Sequence, residues 1–307
     1  MTGRLSDLLT AIPSPPRSEI SLGPFPLRGY AMAIIAGVFV AAFIAERRWI
    51  ARGGTRGVVG DIAIVSVPVG IVFARIYHVV TSWEQYADSP IDALKIYEGG
   101  LGIPGGLLGG VVGGIYVCRR RGVRVSAMLD TVAPGVAVAQ AIGRLGNWFN
   151  QELYGRPTDL PWALEIDVDH RPARFIGEPT YHPTFLYELL WNLTVAAVVV
   201  IVERRRPMRR GRTFALYIAL YAAGRFVIEG IRIDPANSVG GLRTNEIVSL
   251  IAFAVATSYL VGTRKNPDDD RPVEQLPASD DATPSSGSPV SADTTNSEST
   301  EPLAHES

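Results

Sequence analysis

The chain has 307 residues, is 47% hydrophobic and carries a formal net charge of −1. This near-neutral balance lacks the basic surplus of a nucleic-acid-binding surface, so no nucleic-acid partner is expected. The single cysteine, Cys118, excludes an intrachain disulfide and a Cys/His metal cluster. The apolar residues are clumped into runs near the roughly 20 residues needed to cross a bilayer, which favours a membrane protein over a soluble domain.

Seven apolar runs predict an all-α polytopic membrane protein with about seven transmembrane helices. The runs cover residues 29–45, 61–80, 99–118, 126–142, 183–202, 213–231 and 245–262. Residues 1–26 lack the charged start and apolar core of a cleavable signal peptide. From residue 266 onward the chain is rich in Asp, Glu, Ser, Thr and Pro and has no aromatic residue, which is typical of disorder.

Arginine clusters follow the first, third and fifth predicted helices, whereas the intervening loops carry far fewer basic residues. The positive-inside rule therefore places the N-terminus outside and the C-terminus in the cytoplasm, with an outer-face insertion between helices four and five. Three domains are predicted: an N-terminal outer-face segment (1–27), a seven-helix transmembrane domain (28–263) and a disordered cytoplasmic tail (264–307). The tail is expected to carry no catalytic residue.

The third predicted helix contains Pro104 and many glycines. Small residues three or four apart let membrane helices approach closely, and we favour this packing role for residues 109–114. Two interpretations stay open for residues 99–106. They pack in the same way, or they form a break that exposes backbone groups to a lipid head group.

Residues 143–156, GRLGNWFNQELYGR, follow the fourth apolar run and concentrate hydrogen-bonding side chains. Arg144 stands where a membrane helix is ending, and a charge there is costly unless a partner or water meets it, so the segment is the leading functional candidate. Gly143, Gly146 and Gly155 leave room for another backbone or a ligand. The alternative is an interfacial loop whose arginines only reach into lipid head groups.

Helix six is expected to hold a second functional arginine. Tyr217, Tyr221, Arg225 and Glu229 recur every four residues along one face, so Arg225 and Glu229 are placed to pair, with Arg232 one turn beyond. A tyrosine stripe alone usually indicates packing or an interfacial belt, but an arginine is not cheaply placed in lipid.

Other polar residues have simpler interpretations, which we favour. His182 opens helix five and is expected to act as a cap. Glu188 is expected to be a buried ion-pair partner, with Asn192 on the same face. Asp130 of helix four and Arg75 of helix two are also expected to be structural ion-pair partners.

The motif residues resemble the pattern of the prolipoprotein diacylglyceryl transferase family, Gly-Arg-x-Gly-Asn-Phe-x-Asn-x-Glu-x-x-Gly. The matching residues are Gly143, Arg144, Gly146, Asn147, Asn150, Glu152 and Gly155, and Trp148 replaces the phenylalanine. Residues 182–188 resemble the family's His-Pro-Ser-Gln-Leu-Tyr-Glu block, and residues 221–232 its Tyr-x3-Arg-x3-Glu-x2-Arg element. Tyr30 resembles the tyrosine of its Arg-x-Tyr element, so the resemblance spans about residues 28–262.

The resemblance implies an enzyme of the bacterial inner (plasma) membrane, and the distribution of arginines between the loops places its active site toward the outer leaflet. It implies transfer of a diacylglyceryl group from phosphatidylglycerol to the lipobox cysteine thiol of a preprolipoprotein signal peptide, the first step of lipoprotein maturation. A thioether forms, glycerol phosphate leaves, and neither a cofactor nor a metal is required. The expected catalytic residues are Arg144 and Arg225; the expected substrate-binding residues are Tyr30, Asn147, Asn150, Glu152, Gly155, Tyr221, Glu229 and Arg232.

The general base is the open point of this resemblance. Many family members have a histidine in a His-Gly-Gly triplet where this chain has Pro104, and His78 lies elsewhere in the sequence. We expect no histidine to be indispensable, with the thiol proton passing to water or to the phosphate product. Two other classes were weighed: a lipid flippase should show internal repeats, and a membrane protease needs a serine for His182 or a pair of aspartates, and the sequence shows none of these.

Overall fold

The computed structural model describes residues 11–22, 25–96, 99–206, 208 and 211–263, and the predicted tail lies outside these ranges. Within them the chain forms seven α-helices: α1 (Gly29–Ala51), α2 (Val58–Thr81), α3 (Ile103–Arg120), α4 (Val125–Phe149), α5 (Thr184–Arg205), α6 (Arg212–Glu229) and α7 (Thr244–Gly262). Three antiparallel pairs of short strands accompany them: β1 (Glu19–Leu22) with β2 (Phe25–Arg28), β3 (Leu164–Glu165) with β4 (Thr180–Tyr181), and β5 (Ser238–Val239) with β6 (Leu242–Arg243). The predicted helical fold is confirmed.

Each helix lies where an apolar run predicts it, although α1, α3 and α4 have different boundaries. α4 continues seven residues past its run to Phe149, so residues 143–149 of the motif are helical. α1 continues six residues past its apolar run to Ala51, because arginine and glutamate favour the helix even where hydropathy falls. α3 begins at Ile103 instead of residue 99. Gly99 and Gly100 adopt left-handed backbone conformations, with φ of 99° and 75°, which end any helical path there.

The glycine loop before α3 is bound to α2. Arg75 donates hydrogen bonds to the carbonyl oxygens of Gly99 at 2.6 Å and Gly100 at 3.1 Å, and further ones to Asp92 and Ala93. Arg75 is therefore structural, as expected, and its hydrogen-bond partners among the residues that the structure describes are backbone carbonyls. The same contacts favour the packing interpretation of residues 99–106, because these carbonyls are satisfied within the protein.

Five helices, α1, α2, α4, α5 and α7, are long and apolar enough to cross a membrane. The other two have 18 residues each and lower hydropathy. Glycines dilute the apolar content of α3, and α6 carries Arg225 and Glu229 within its last turns. The chain is thus a helical membrane protein.

Small residues set the closest helix contacts. Gly105, Gly109 and Gly113 of α3 face α2 so closely that an added Cβ would meet Phe73 or Ser66, as expected for residues 109–114. Gly37 of α1 and Gly135 of α4 make similar contacts with backbone atoms of the opposite helix. α4 also packs against α5 and α6 through an apolar cluster that includes Ala133, Ala137, Val195, Val199 and Tyr217. α4 is therefore the central helix of the bundle.

Two ends of the bundle are polar, and they have different structures. The motif end holds the C-termini of α4 and α6 and the N-termini of α5 and α7. At the opposite end, Arg48 of α1 and Arg52, which follows α1, both bind Glu203 of α5, the Arg48 pair at 2.5 Å. Asp130 of α4 accepts hydrogen bonds from the backbone N–H groups of Gly211 at 2.8 Å and Phe214 at 2.9 Å. Asp130 therefore satisfies the start of α6, and the ion pair expected for it is replaced by this capping role.

The insertion between α4 and α5 has its own small core. Tyr154, Leu164, Ile166, Tyr181 and Phe185 pack together, and β3 pairs with β4. The N-terminal segment joins this core, since Ile12 bridges Leu164 in parallel and the Trp148 indole donates to the Pro13 carbonyl at 3.1 Å. Trp148 also stacks on Phe185 at 5.7 Å. A phenylalanine at position 148 would lack the N–H that binds the N-terminal segment.

We predict that Asp130→Ala destabilises the fold without changing the chemistry at the motif end. Two partly buried N–H groups at the start of α6 lose their acceptor, which costs up to about 1–3 kcal/mol each. Thermal unfolding of the purified protein in detergent should show a lower midpoint, whereas transfer per folded molecule should match the parent. A stable variant with impaired transfer would contradict this structural role.

Candidate active site

Glu188 links two arginines at the motif end. It lies in the first turns of α5, Arg144 lies in the last turns of α4, and Arg225 lies in the last turns of α6. Arg144 Nε binds Glu188 Oε2, and Arg225 Nη1 binds Glu188 Oε1 at 2.7 Å. The Glu188 side chain is 7% exposed. The expected ion-pair role of Glu188 is confirmed, and it brings together the two arginines predicted to be catalytic.

Glu229 forms the second centre of the site. Its side chain is fully buried at the end of α6, and it binds Arg225 at 2.6 Å, as the four-residue spacing predicts. Arg232 reaches the same carboxylate at 3.4 Å, and Arg243 binds its other oxygen at 2.8 Å. Asn245 of α7 donates a further hydrogen bond at 3.2 Å. Three cations around one buried carboxylate supply the partners that a charge in this position requires.

Arg243 and Asp234 complete this centre, and neither is expected from the motif pattern. Arg243 precedes α7 and bridges Glu229, the Arg232 carbonyl at 3.1 Å and Asp234 at 3.0 Å. Asp234 also binds Arg232 at 2.8 Å. Burial works against the charged carboxylate of Asp234, but its hydrogen bond to Arg232 and the charges of both arginines prevail and lower its pKa.

A row of amides connects Arg144 to Glu152. Arg144 donates to Asn147 Oδ1 at 3.2 Å, and Asn147 Nδ2 donates to Glu152 Oε1 at 2.9 Å. Asn150 adds a second, longer bond to the same carboxylate oxygen at 3.3 Å. Four of the predicted site residues thus form one hydrogen-bonded unit at the end of α4.

Two left-handed residues shape the backbone on either side of Glu152. Gln151 has φ of 51° and Leu153 has φ of 60°, which is uncommon for residues other than glycine. Gln151 is held by two hydrogen bonds with Asp167 of the insertion, at 2.6 and 2.8 Å. The insertion therefore fixes the position of Glu152.

Tyr30 and Gly155 lie at close contacts around the network. Gly146 of α4 lets Tyr30 of α1 approach, since an added Cβ would lie 2.6 Å from its ring. Gly155 bridges Arg232 in antiparallel fashion, and a Cβ there would meet His182 and Ile231. Both glycines thus permit the close approach expected of them.

Tyr221 has a different environment from the other predicted site residues. The structure places it against Tyr217 at 6.1 Å between ring centroids, in the apolar cluster of α4, α5 and α6. Its contacts are those of a packing residue, and its substrate-binding role stays a prediction.

Gly143 borders open space at the motif end. A Cβ built on this residue would meet nothing within 4 Å, unlike those built on Gly146 and Gly155. Gly143 precedes Arg144 and lies one helical turn before Asn147 on the same face of α4. Space for a ligand group therefore adjoins the arginine and its amide partner.

His78 and His182 lie outside the arginine network. His78 of α2 lies against Gly100 and contacts Tyr86 edge to face, and Pro104 is the second residue of α3. His182 binds the Tyr187 hydroxyl at 3.1 Å. Burial and the nearby Arg156 lower the pKa of His182, which keeps its ring neutral at pH 7.

Comparison with known proteins identifies the family. Residues 18–262 match the model of the family described as prolipoprotein diacylglyceryl transferase. The chain belongs to this family. Its relatives include phosphatidylglycerol--prolipoprotein diacylglyceryl transferase 2 of Streptomyces coelicolor, which is 52% identical over 82% of this chain and 81% of the relative. The corresponding protein of Mycobacteroides abscessus is 46% identical over 89% of this chain and 84% of its own length.

We predict that Arg243→Ala impairs the site, although none of the motifs identified in the sequence includes Arg243. Removing this cation leaves Glu229 and Asp234 undercompensated, and breaking a buried pair costs about 3–5 kcal/mol. Both the thermal midpoint and the transfer rate should fall. Arg121→Ala, which breaks the exposed pair with Asp61, should leave both nearly unchanged and serves as the matched control.

Proposed function

We propose that the chain transfers the diacylglyceryl group of phosphatidylglycerol to the lipobox cysteine of a preprolipoprotein signal peptide. A thioether forms and glycerol phosphate leaves. Membership of the family supports this reaction, because its curated relatives are named for the same donor and acceptor. The observation that carries the proposal is the pair of arginines, Arg144 and Arg225, that Glu188 holds together at the motif end.

The charge of the network suits a phosphodiester. Four arginines, Arg144, Arg225, Arg232 and Arg243, bind three carboxylates, Glu188, Glu229 and Asp234. Arg144 reaches the fourth carboxylate, Glu152, only through the Asn147 amide, so the arginines outnumber the carboxylates that they bind directly. A phosphodiester carries one negative charge and accepts paired N–H donors from guanidinium groups. The same donors stabilise the charge that develops on the phosphate as the C–O bond breaks, by a few kcal/mol for each well-placed group.

The arginines also activate the nucleophile. A free thiol with a pKa of about 8.5 is only a few per cent ionised at neutral pH. Cations beside the thiol favour the developing thiolate, and the phosphate that they bind is the leaving group of the same displacement. Arg144 and Arg225 thus act on both ends of the reacting bond.

The site is proposed to lie toward the outer leaflet of the bacterial inner membrane. The arginine-rich loops lie at the opposite end of the bundle, and the positive-inside rule assigns that end to the cytoplasm. Seven crossings then place the N-terminus outside and the C-terminus inside. Residues 28–263 form the catalytic domain in this proposal. The segment 1–27 is assigned to the outer face, and the tail, 264–307, takes no part in catalysis.

The first test replaces each arginine in turn. Arg144→Ala and Arg225→Ala should each reduce transfer by about 10²–10³-fold, because a donor to the phosphate is lost. Lysine should rescue poorly, since it lacks the planar paired donors. The assay incubates purified protein with phosphatidylglycerol and a lipobox peptide and measures the diacylglyceryl mass added to cysteine. Parent-like turnover in Arg144→Ala would end the proposed role.

The second test fills the open space at Gly143. Gly143→Leu should reduce transfer on the order of tenfold or more, because the side chain displaces the substrate from its reactive position. Gly60→Leu is the matched control. Gly60 also lies in a helix with nothing within 4 Å of an added Cβ, and it lies at the opposite end of the bundle. Equal effects of the two substitutions would contradict a substrate site at Gly143.

The third test concerns the histidines. His78→Gln and His182→Gln should each lower transfer by less than about tenfold, whereas a general base contributes about 10²–10⁴-fold. Because the pKa of His182 is lowered, the parent rate should show no limb near pH 6.5. A limb near that pH that disappears in His78→Gln, together with most activity, would identify His78 as the base.

A further inference from the structure

We propose that Glu152 is the proton shuttle of the transfer reaction. It takes the proton of the attacking thiol and returns it to the departing phosphate. This inference rests on the proposed function and assigns Glu152 a chemical role instead of a binding role alone. It supplies the base that the chain lacks at Pro104.

The carboxylates of the site differ in their partners. Glu188, Glu229 and Asp234 each bind arginine side chains directly, so guanidinium N–H groups occupy their carboxylate oxygens. Glu152 is bound by the neutral amides of Asn147 and Asn150. A carboxylate held by neutral donors retains more of its basicity than one bound to guanidinium groups. Glu152 is therefore the best proton acceptor among the four.

The amide of Asn147 sets the distance between cation and base. The Arg144 guanidinium offers only donors and the Glu152 carboxylate only acceptors, so the amide must present its oxygen to Arg144 and its nitrogen to Glu152. One amide thus separates the cation proposed to bind phosphate from the carboxylate. A thiol that attacks the carbon next to that phosphate needs its base at a similar separation from the cation that binds the phosphate.

The backbone holds Glu152 in place for this task. Gln151 and Leu153 both adopt left-handed conformations. Gln151 is also buried and forms two hydrogen bonds with Asp167. Backbone strain of this type persists only where the surrounding structure fixes it, and it is common at functional sites. Glu152 itself is half-buried and accessible to a substrate.

The reaction balances with Glu152 alone as proton carrier. The thiol proton moves to the carboxylate as sulfur bonds to the glyceryl methylene, because a complete transfer beforehand is unfavourable for so weak a base. The bond between that carbon and the phosphate oxygen breaks with its electron pair on the phosphate. The protonated Glu152 then donates its proton to the phosphate. Thioether and glycerol phosphate are released, and the carboxylate is regenerated.

The test compares Glu152→Gln with the parent from pH 6.5 to 9, using phosphatidylglycerol micelles and a lipobox peptide. Glutamine keeps the acceptor oxygen for the asparagines but cannot take a proton. At pH 6.5 the variant should be slower by about 10²-fold or more. The rate of the variant should rise about tenfold per pH unit toward the thiol pKa of about 8.5. Near and above that pH the variant should therefore be only a few-fold slower than the parent.

A second substrate separates proton transfer from binding. A peptide with selenocysteine in place of the lipobox cysteine is ionised at neutral pH and needs no base, so parent and variant should react at similar rates. Glu188→Gln is the matched control, and its deficit should be equal at all pH values and for both peptides. The charged and titratable groups that face Glu152 are Tyr30 from α1 and Arg144 from α4, with Glu188 beyond Arg144.

Two results would overturn the shuttle: a Glu152→Gln deficit that stays constant with pH and with selenocysteine, or no deficit at all. If the variant does not fold, the parent decides by its solvent deuterium isotope effect. A normal effect with the thiol peptide and none with the selenol supports the shuttle, and equal effects refute it. Parent transfer at pH 7 tests the proposed function separately, because it does not involve the variant.

Discussion

The structure depends on the pairing of buried carboxylates with arginines between helices. Glu188 joins α4 to α6 through Arg144 and Arg225, and Glu229 joins α6 to the start of α7 through Arg243. A charge removed from water is unfavourable by several kcal/mol unless partners surround it, so no helix of this group can shift without exposing an unpaired charge. The candidate site is thus also the junction that sets the helix arrangement.

The sequence predicts the helices well because apolar runs and arginine clusters are local signals. It also predicts the Arg225–Glu229 pair, since a spacing of four places both residues on one helix face. It does not predict Arg243 or Asp234, because their roles depend on how the loop after α6 folds back onto Glu229. It misplaces the start of α3 because glycine and proline are compatible with both a loop and a helix start, and only Arg75 decides between them.

The two polar ends of the bundle show how similar residues serve different purposes. At the opposite end, Arg48 and Arg52 share Glu203 and also bind carbonyl and hydroxyl groups of α4, which uses their donors for structure. At the motif end, amides and carboxylates alternate with arginines beside the open space at Gly143. Arginine content alone therefore does not mark a functional site. Arginine beside unfilled space is what supports the proposed site at the motif end.

The pairing of Ile12 with Leu164 has a consequence for assembly. The N-terminal segment is synthesised first, but its partner strand follows about 150 residues later, after four helices. Contacts so distant in sequence form late because a long intervening chain must be ordered before they close. The N-terminal segment therefore has no strand to pair with while the first helices insert into the membrane. It packs on the segment between α4 and α5 only after α4 is in place. Because the Gln151–Asp167 hydrogen bonds belong to the same insertion, folding of the enzyme should finish at the segment that adjoins the proposed site.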